Sequence, residues 1–235
     1  MPLRAILFDK DGTLVDFHLT WSRAVYAVMD RMTAGDAVKL ARLAEANHYD
    51  MEERRILPTS PLVASSSADY GITWAGILGE EASPAFFSRM DSLLIEEGLD
   101  HVTPIGDPRA LFGALKAQGY LLGICTNDSE AGARAQCDRL GITDLLDGIM
   151  GYDSGHGRKP EAGPLLAFAD AHGILPEETA LVGDSLHDLH AARAAGSIAI
   201  AVLTGFAGRE ELAGDADHVV VSIMDLPALF ATLGA

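Results

Sequence analysis

Three times in this chain a short apolar run stops abruptly in a polar cluster, and that repeated break limits what the chain can fold into. Residues 3–8 run into Asp9-Lys10-Asp11-Gly12, residues 120–125 into Thr126-Asn127-Asp128, and residues 180–182 into Gly183-Asp184-Ser185. Apolar runs of this length bounded by turn chemistry read as buried strands. Helical segments lie between them. Asp107-Pro108 opens one that Gly119 closes, a second covers about 129–140, Pro160 opens a third that ends at Gly173, and a fourth runs from about Leu186 to Gly196. Further strands are predicted near Ile149, over 198–203 and over 218–221. Strand–helix alternation of this kind predicts an α/β fold, a Rossmann-like doubly wound parallel sheet with helices on both faces.

The stretch from 17 to 99 breaks the rhythm. Trp21, Val25 and Val28 recur at helical spacing, as do Val38, Leu40, Leu43 and Ala44. Helices are also predicted over 68–78 and over 86–94, the latter opened by Ser83-Pro84. Only the Pro- and Ser-rich residues 58–67 read as loop. The expected organisation is therefore a core domain of residues 1–16 and 100–235, interrupted by an all-helical cap domain over 17–99.

Charge narrows the function. Thirty-four acidic against 17 basic residues give a net charge of −17. Sequence-independent nucleic-acid binding depends on Lys and Arg neutralising phosphates, and docking on anionic lipid needs the same excess. Both classes are excluded as expectations. No apolar run approaches the roughly 20 residues of a membrane helix, and the apolar N-terminal stretch is too short for a signal peptide. The two cysteines, Cys125 and Cys137, lack zinc-site spacing and read as reduced core thiols. The expected setting is cytoplasmic.

In an open α/β sheet, ligands bind beyond the carboxyl ends of the strands. That crevice would gather Asp9, Asp11, Asp184 and Asp188 with Thr126, Asn127 and Lys159. Carboxylates so close repel and raise one another's pKa, and a divalent cation relieves them. A site of oxygen ligands alone favours a hard ion, most simply Mg²⁺. Only four lysines occur, and only Lys159 lies between a Gly-rich loop and a proline. For Asp188 a structural reading competes, since Ser185 and Asp188 have the spacing of a capping box. His187 and His190 read as surface or packing residues, and Lys10 as a side chain directed away from Asp9.

Asp9-Lys10-Asp11-Gly12-Thr13-Leu14, Thr126-Asn127, Lys159-Pro160 and Gly183-Asp184-Ser185-Leu186-His187-Asp188 together resemble the four ordered motifs of the haloacid dehalogenase-like hydrolases. The insertion resembles the helical cap of the phosphoglycolate phosphatase-like subgroup. The resemblance implies a Mg²⁺-dependent phosphatase acting on a small phosphorylated metabolite. It makes Asp9 the nucleophile and Asp11 the general acid and then base. Thr126, the Asn127 N–H and Lys159 would hold the phosphoryl oxygens, and Asp9, Asp11 (by its carbonyl), Asp184 and Asp188 the metal. A β-phosphoglucomutase-like phosphomutase, or a non-catalytic binding protein on the same fold, is the alternative. Specificity would lie in the insertion, where Arg54, Arg55, Ser60 and residues 65–67 are candidates. The Pro- and Ser-rich loop there departs from the Gly-rich specificity loop usual in the subgroup.

Overall fold

Ala5–Phe8 are four consecutive apolar residues, all fully buried. Burial on both faces is what a central parallel strand requires. The computed structural model describes residues 2–63, 65 and 67–233. That first strand, β1 (Ala5–Phe8), is followed by α1 (Phe17–Thr33), α2 (Ala37–Ala46), the two-residue strands β2 (Tyr49–Asp50) and β3 (Arg55–Ile56), α3 (Ser67–Leu78) and α4 (Pro84–His101). Then come α5 (Pro108–Ala117), β4 (Leu121–Cys125), α6 (Glu130–Leu140), β5 (Gly148–Met150), α7 (Gly163–Ala171) and β6 (Thr179–Gly183). The chain closes with α8 (Leu186–Ala195), β7 (Ile198–Val202), α9 (Arg209–Leu212), β8 (His218–Val220) and α10 (Leu226–Leu233). It divides into two units, Met1–Asp16 with Pro104–Ala235, and Phe17–Thr103.

The first unit holds a six-stranded sheet in the order β5-β4-β1-β6-β7-β8, parallel throughout. This is the doubly wound, Rossmann-like arrangement that the alternation of strands and helices predicts. Strand order reverses beside β1, which pairs with β4 through Ala5↔Leu121 and with β6 through Ala5↔Thr179. Successive strand residues face opposite sides. Leu7 accordingly joins Leu165 and Phe168 of α7 and Leu189 of α8 in one cluster. Phe8 meets Phe112 of α5 at 4.7 Å between ring centroids. Each such side chain contributes about 1.5–3 kcal/mol by leaving water.

Phe168 has a seat made for it. Gly123 and Gly148 pair across β4 and β5, and a Cβ on either would lie 2.6 or 3.1 Å from the Phe168 ring. The helices end as their residues dictate: Ser129 caps α6, and Gly141 and Gly196 close α6 and α8 in left-handed conformation. One expectation is corrected. No helix opens at Pro160; α7 begins at Gly163, with Pro164 in its first turn. Asn127 holds the backbone of Lys159 at both N–H and C=O, which commits residues 159–160 to a turn instead.

The second unit is helical, with one addition to the expected pattern. The antiparallel ribbon β2–β3 pairs Tyr49↔Ile56 and Asp50↔Arg55. Asp50 turns it by accepting hydrogen bonds from the Glu52 and Glu53 N–H groups. Tyr49 Oη then donates to the Ser22 carbonyl at 2.9 Å, tying the ribbon to α1. Strands of two residues show no periodicity, so the sequence gives no sign of them. Trp74 is fully buried and donates from Nε1 to Asn47 Oδ1 at 2.9 Å, which satisfies its one polar atom. Ser83 caps α4 ahead of Pro84, as expected, but the helix continues to His101. Among the described residues, no helix is long and apolar enough to cross a membrane.

Candidate active site

The site is assembled from the carboxyl ends of β1, β4, β6 and β7. Asp9 extends β1 by one residue, its N–H donating to Val182 O at 2.8 Å. The chain then curls back, with Lys10 O accepting from the N–H groups of Leu14 and Val15 at 2.8 and 2.9 Å. Gly12 makes the curl possible at φ +82, and a Cβ there would lie 2.3 Å from Asp184 Oδ2.

Lys159 joins the parts. Its Nζ donates to Asp9 Oδ1 and to Asp188 Oδ1, both at 2.6 Å, and it is buried. Asn127 fixes it from behind: Nδ2 donates to the Lys159 carbonyl and Oδ1 accepts from the Lys159 N–H, each at 3.0 Å. The sequence suggested only the Asn127 backbone for function, yet its side chain is what aims the lysine. Thr126 is buried beside it, and its Oγ1 accepts from the Asp128 N–H at 3.1 Å, which leaves the hydroxyl hydrogen to be donated.

Asp188 meets the structural reading given to it and also holds the lysine. Its Oδ2 accepts from Ser185 N–H at 3.1 Å and Ser185 Oγ at 2.6 Å, completing a capping box, while Oδ1 holds Lys159. Asp184 is packed against bare backbone. Besides Gly12, a Cβ on Gly205 would sit 1.7 Å from Asp184 Oδ2. Thr204 Oγ1 donates to Gly12 O at 2.6 Å and so joins the end of β7 to the Asp9–Gly12 turn. Neither Thr204 nor Gly205 was singled out in the sequence. The available signal was the one used elsewhere, since the apolar run of β7 also ends in a small polar pair.

The electrostatics favour a cation. Asp9, Asp184 and Asp188 are all buried and can each offer an oxygen within 4.8 Å of the others. Burial raises Asp9 to about 6, with Lys159 pulling it down and Asp188 pushing it up. Burial also lifts Asp184 well above the usual carboxylate range, helped by the charges of Asp9 and Asp188. Lys159 moves up from its ordinary value: burial opposes its charge, but Asp188 and Asp9 outweigh that. One ammonium cannot balance three carboxylates, and the remaining negative charge in a desolvated all-oxygen cluster suits a hard divalent ion. His190 instead lies 3.6 Å from Asp215, outside this cluster.

Lys10, read as directed away from Asp9, points into a buried polar cluster beside Asp11. It is fully buried, and its Nζ contacts the Asp11 carboxylate, Gln136 Oε1 at 2.7 Å and Asp128 Oδ2 at 3.4 Å. The residues proposed for specificity separate. Arg54 and Arg55 are exposed and, with Arg23, line a cavity of about 730 Å³ in the helical unit; the Arg54 guanidinium lies 5.0 Å from the centre of the Tyr26 ring. Ser60 is buried, and its Oγ accepts from the Leu62 N–H. Ser67 opens α3, and Ser66 lies outside the described residues.

Known proteins give the geometry a context. A family model described as haloacid dehalogenase-like hydrolase matches residues 3–196. A phosphoglycolate phosphatase of Rhodospirillum rubrum is 34% identical over 213 residues, covering 91% of this chain and 84% of its own length. A phosphoglycolate phosphatase of Chromobacterium violaceum is 33% identical, covering 95% of each chain. Among solved structures, CbbY from Rhodobacter sphaeroides in complex with phosphate is similar in fold, with a TM-score of 0.68 at 21% identity over 95% of this chain and 96% of that one.

Proposed function

The chain belongs to the haloacid dehalogenase-like hydrolases, and from that premise we propose that it is a Mg²⁺-dependent phosphatase of small phosphorylated metabolites, phosphoglycolate or a sugar phosphate among them. One observation carries this reading: a single buried ammonium, Lys159 Nζ, is held 2.6 Å from both Asp9 and Asp188 at the switch point of the sheet.

Asp9 is the nucleophile. One of its carboxylate oxygens bonds to phosphorus as the bond to the leaving oxygen breaks, which forms an aspartyl-phosphate. Asp11 gives its proton to that oxygen. It then takes a proton from a water whose oxygen displaces Asp9 from phosphorus. Thr126 Oγ1 and the Asn127 N–H donate to the phosphoryl oxygens, and Lys159 offsets their charge and holds Asp9 in line. Asp9, Asp184, Asp188 and the Asp11 carbonyl would hold Mg²⁺, which when bound neutralises charge on the phosphoryl oxygens. Arg54 and Arg55 supply positive charge for an anionic substrate. The buried, free thiols of Cys125 and Cys137 accord with a cytoplasmic setting.

The test is phosphate release from an aryl phosphate and from a panel of phosphorylated metabolites, phosphoglycolate included, with Mg²⁺ and with a chelator. Turnover should require the metal and vanish in Asp9→Asn. Equal turnover in Asp9→Asn would overturn the mechanism. Isomerisation of a phosphosugar primed by a bisphosphate would point to a mutase instead.

A further inference from the structure

We propose that Lys10, anchored by Gln136 and Asp128, is a positioning residue that fixes the Asp11 carboxyl for proton transfer; this rests on the role given to Asp11 above. The residue between two catalytic aspartates has no evident need for charge. Here it carries one, and its side chain is 0% exposed. Taking an ammonium out of water costs several kcal/mol, and a buried ion pair adds little stability over well-packed apolar residues of the same volume. A side chain that served only to fill this space would more simply be Leu or Met.

The geometry says what the charge does. An ammonium has three donors. Lys10 Nζ spends them on Asp11 Oδ2, Gln136 Oε1 at 2.7 Å and Asp128 Oδ2 at 3.4 Å. Two of those acceptors are themselves fixed. Gln136 is buried in α6, and Asp128 Oδ1 accepts from the Ser129 N–H at 2.7 Å, at the cap of the same helix. The amine is thus tied to α6 at one end and to Asp11 at the other. Asp11 is partly exposed, and the ammonium contact helps to set the direction of its carboxyl. General acid catalysis depends on such placement within hydrogen-bond reach.

A leaving-group series on the Mg²⁺-loaded full chain tests this. An activated aryl phosphate needs little help from an acid, whereas an alkyl phosphate needs its leaving oxygen protonated. Lys10→Met and Gln136→Met should each lower kcat for alkyl phosphates by about tenfold or more, with losses under about threefold for an activated aryl phosphate and little change in KM. Gln136→Met touches neither Asp11 nor a residue assigned to the metal, and it decides the matter alone if Lys10→Met does not fold. Equal losses on both substrate classes, or no loss in a folded Gln136→Met, would overturn the positioning role. Absence of turnover by the wild type on every phosphate would instead overturn the phosphatase reading and this inference with it.

Discussion

At the scale of single residues, aim matters as much as identity. Lys159 reaches two carboxylates because Asn127 grips its backbone at both polar atoms. Asn127→Ala keeps the backbone N–H proposed to bind phosphate and removes only that grip. We expect kcat to fall by about tenfold to a hundredfold while KM for an aryl phosphate stays within about twofold, as a misplaced but intact group would give. Steady-state kinetics with saturating Mg²⁺ checks this, and unchanged kcat would mean that the clamp is dispensable. Asp9 and Asp184 were legible because each stands at the end of an apolar run, and Lys159 because it alone of four lysines lies between a Gly-rich loop and a proline. Lys10, Gly205 and the Asn127 side chain were not. Their meaning lies in partners 126, 21 and 32 residues away, and no local pattern encodes such partners.

Among the elements, β4, β6 and α8 were readable from composition and caps, because each is bounded by residues that stop it for a stated reason. The ribbon β2–β3 was not, since two residues per strand leave no period to detect. The seat of Phe168 was also hidden. Gly123 reads as a weak point in an apolar strand until its partner Gly148 and the ring above them are seen. Gly123→Ala would put a Cβ 2.6 Å from Phe168 Cε2, and the ring, packed in the core, has little room to yield. We expect a loss of about 1–3 kcal/mol in denaturant unfolding. Phe168→Leu alone should cost a similar amount through the cavity it leaves. The double variant should be more stable than the sum of the two losses predicts, because the smaller side chain relieves the clash. Additive losses would show that the glycine is not there for the ring.

For the whole molecule, the net charge of −17 sets how the site and the fold respond together. Three buried carboxylates against one lysine make the metal-free protein sensitive to pH. Asp9 has its folded value raised to about 6 from 3.8, so between those values the native state binds more protons than the unfolded chain. Its contribution therefore favours folding at the acid end of that window and is lost as pH rises through about 6. Asp184, also raised by burial, acts with the same sign. A metal ion competes with the same protons. Mg²⁺ should accordingly stabilise the protein most above pH 6 and little near pH 5. At a concentration 100 times its Kd, the gain is about 2.7 kcal/mol, or roughly 5–10 °C in Tm for a chain of this length. Thermal melts at pH 5 and 7.5, with Mg²⁺ and with a chelator, measure both effects. Asp9→Asn should flatten the pH dependence of the metal-free melt. An equal Mg²⁺ shift at the two pH values, in the wild type, would mean that the ion binds somewhere other than these carboxylates.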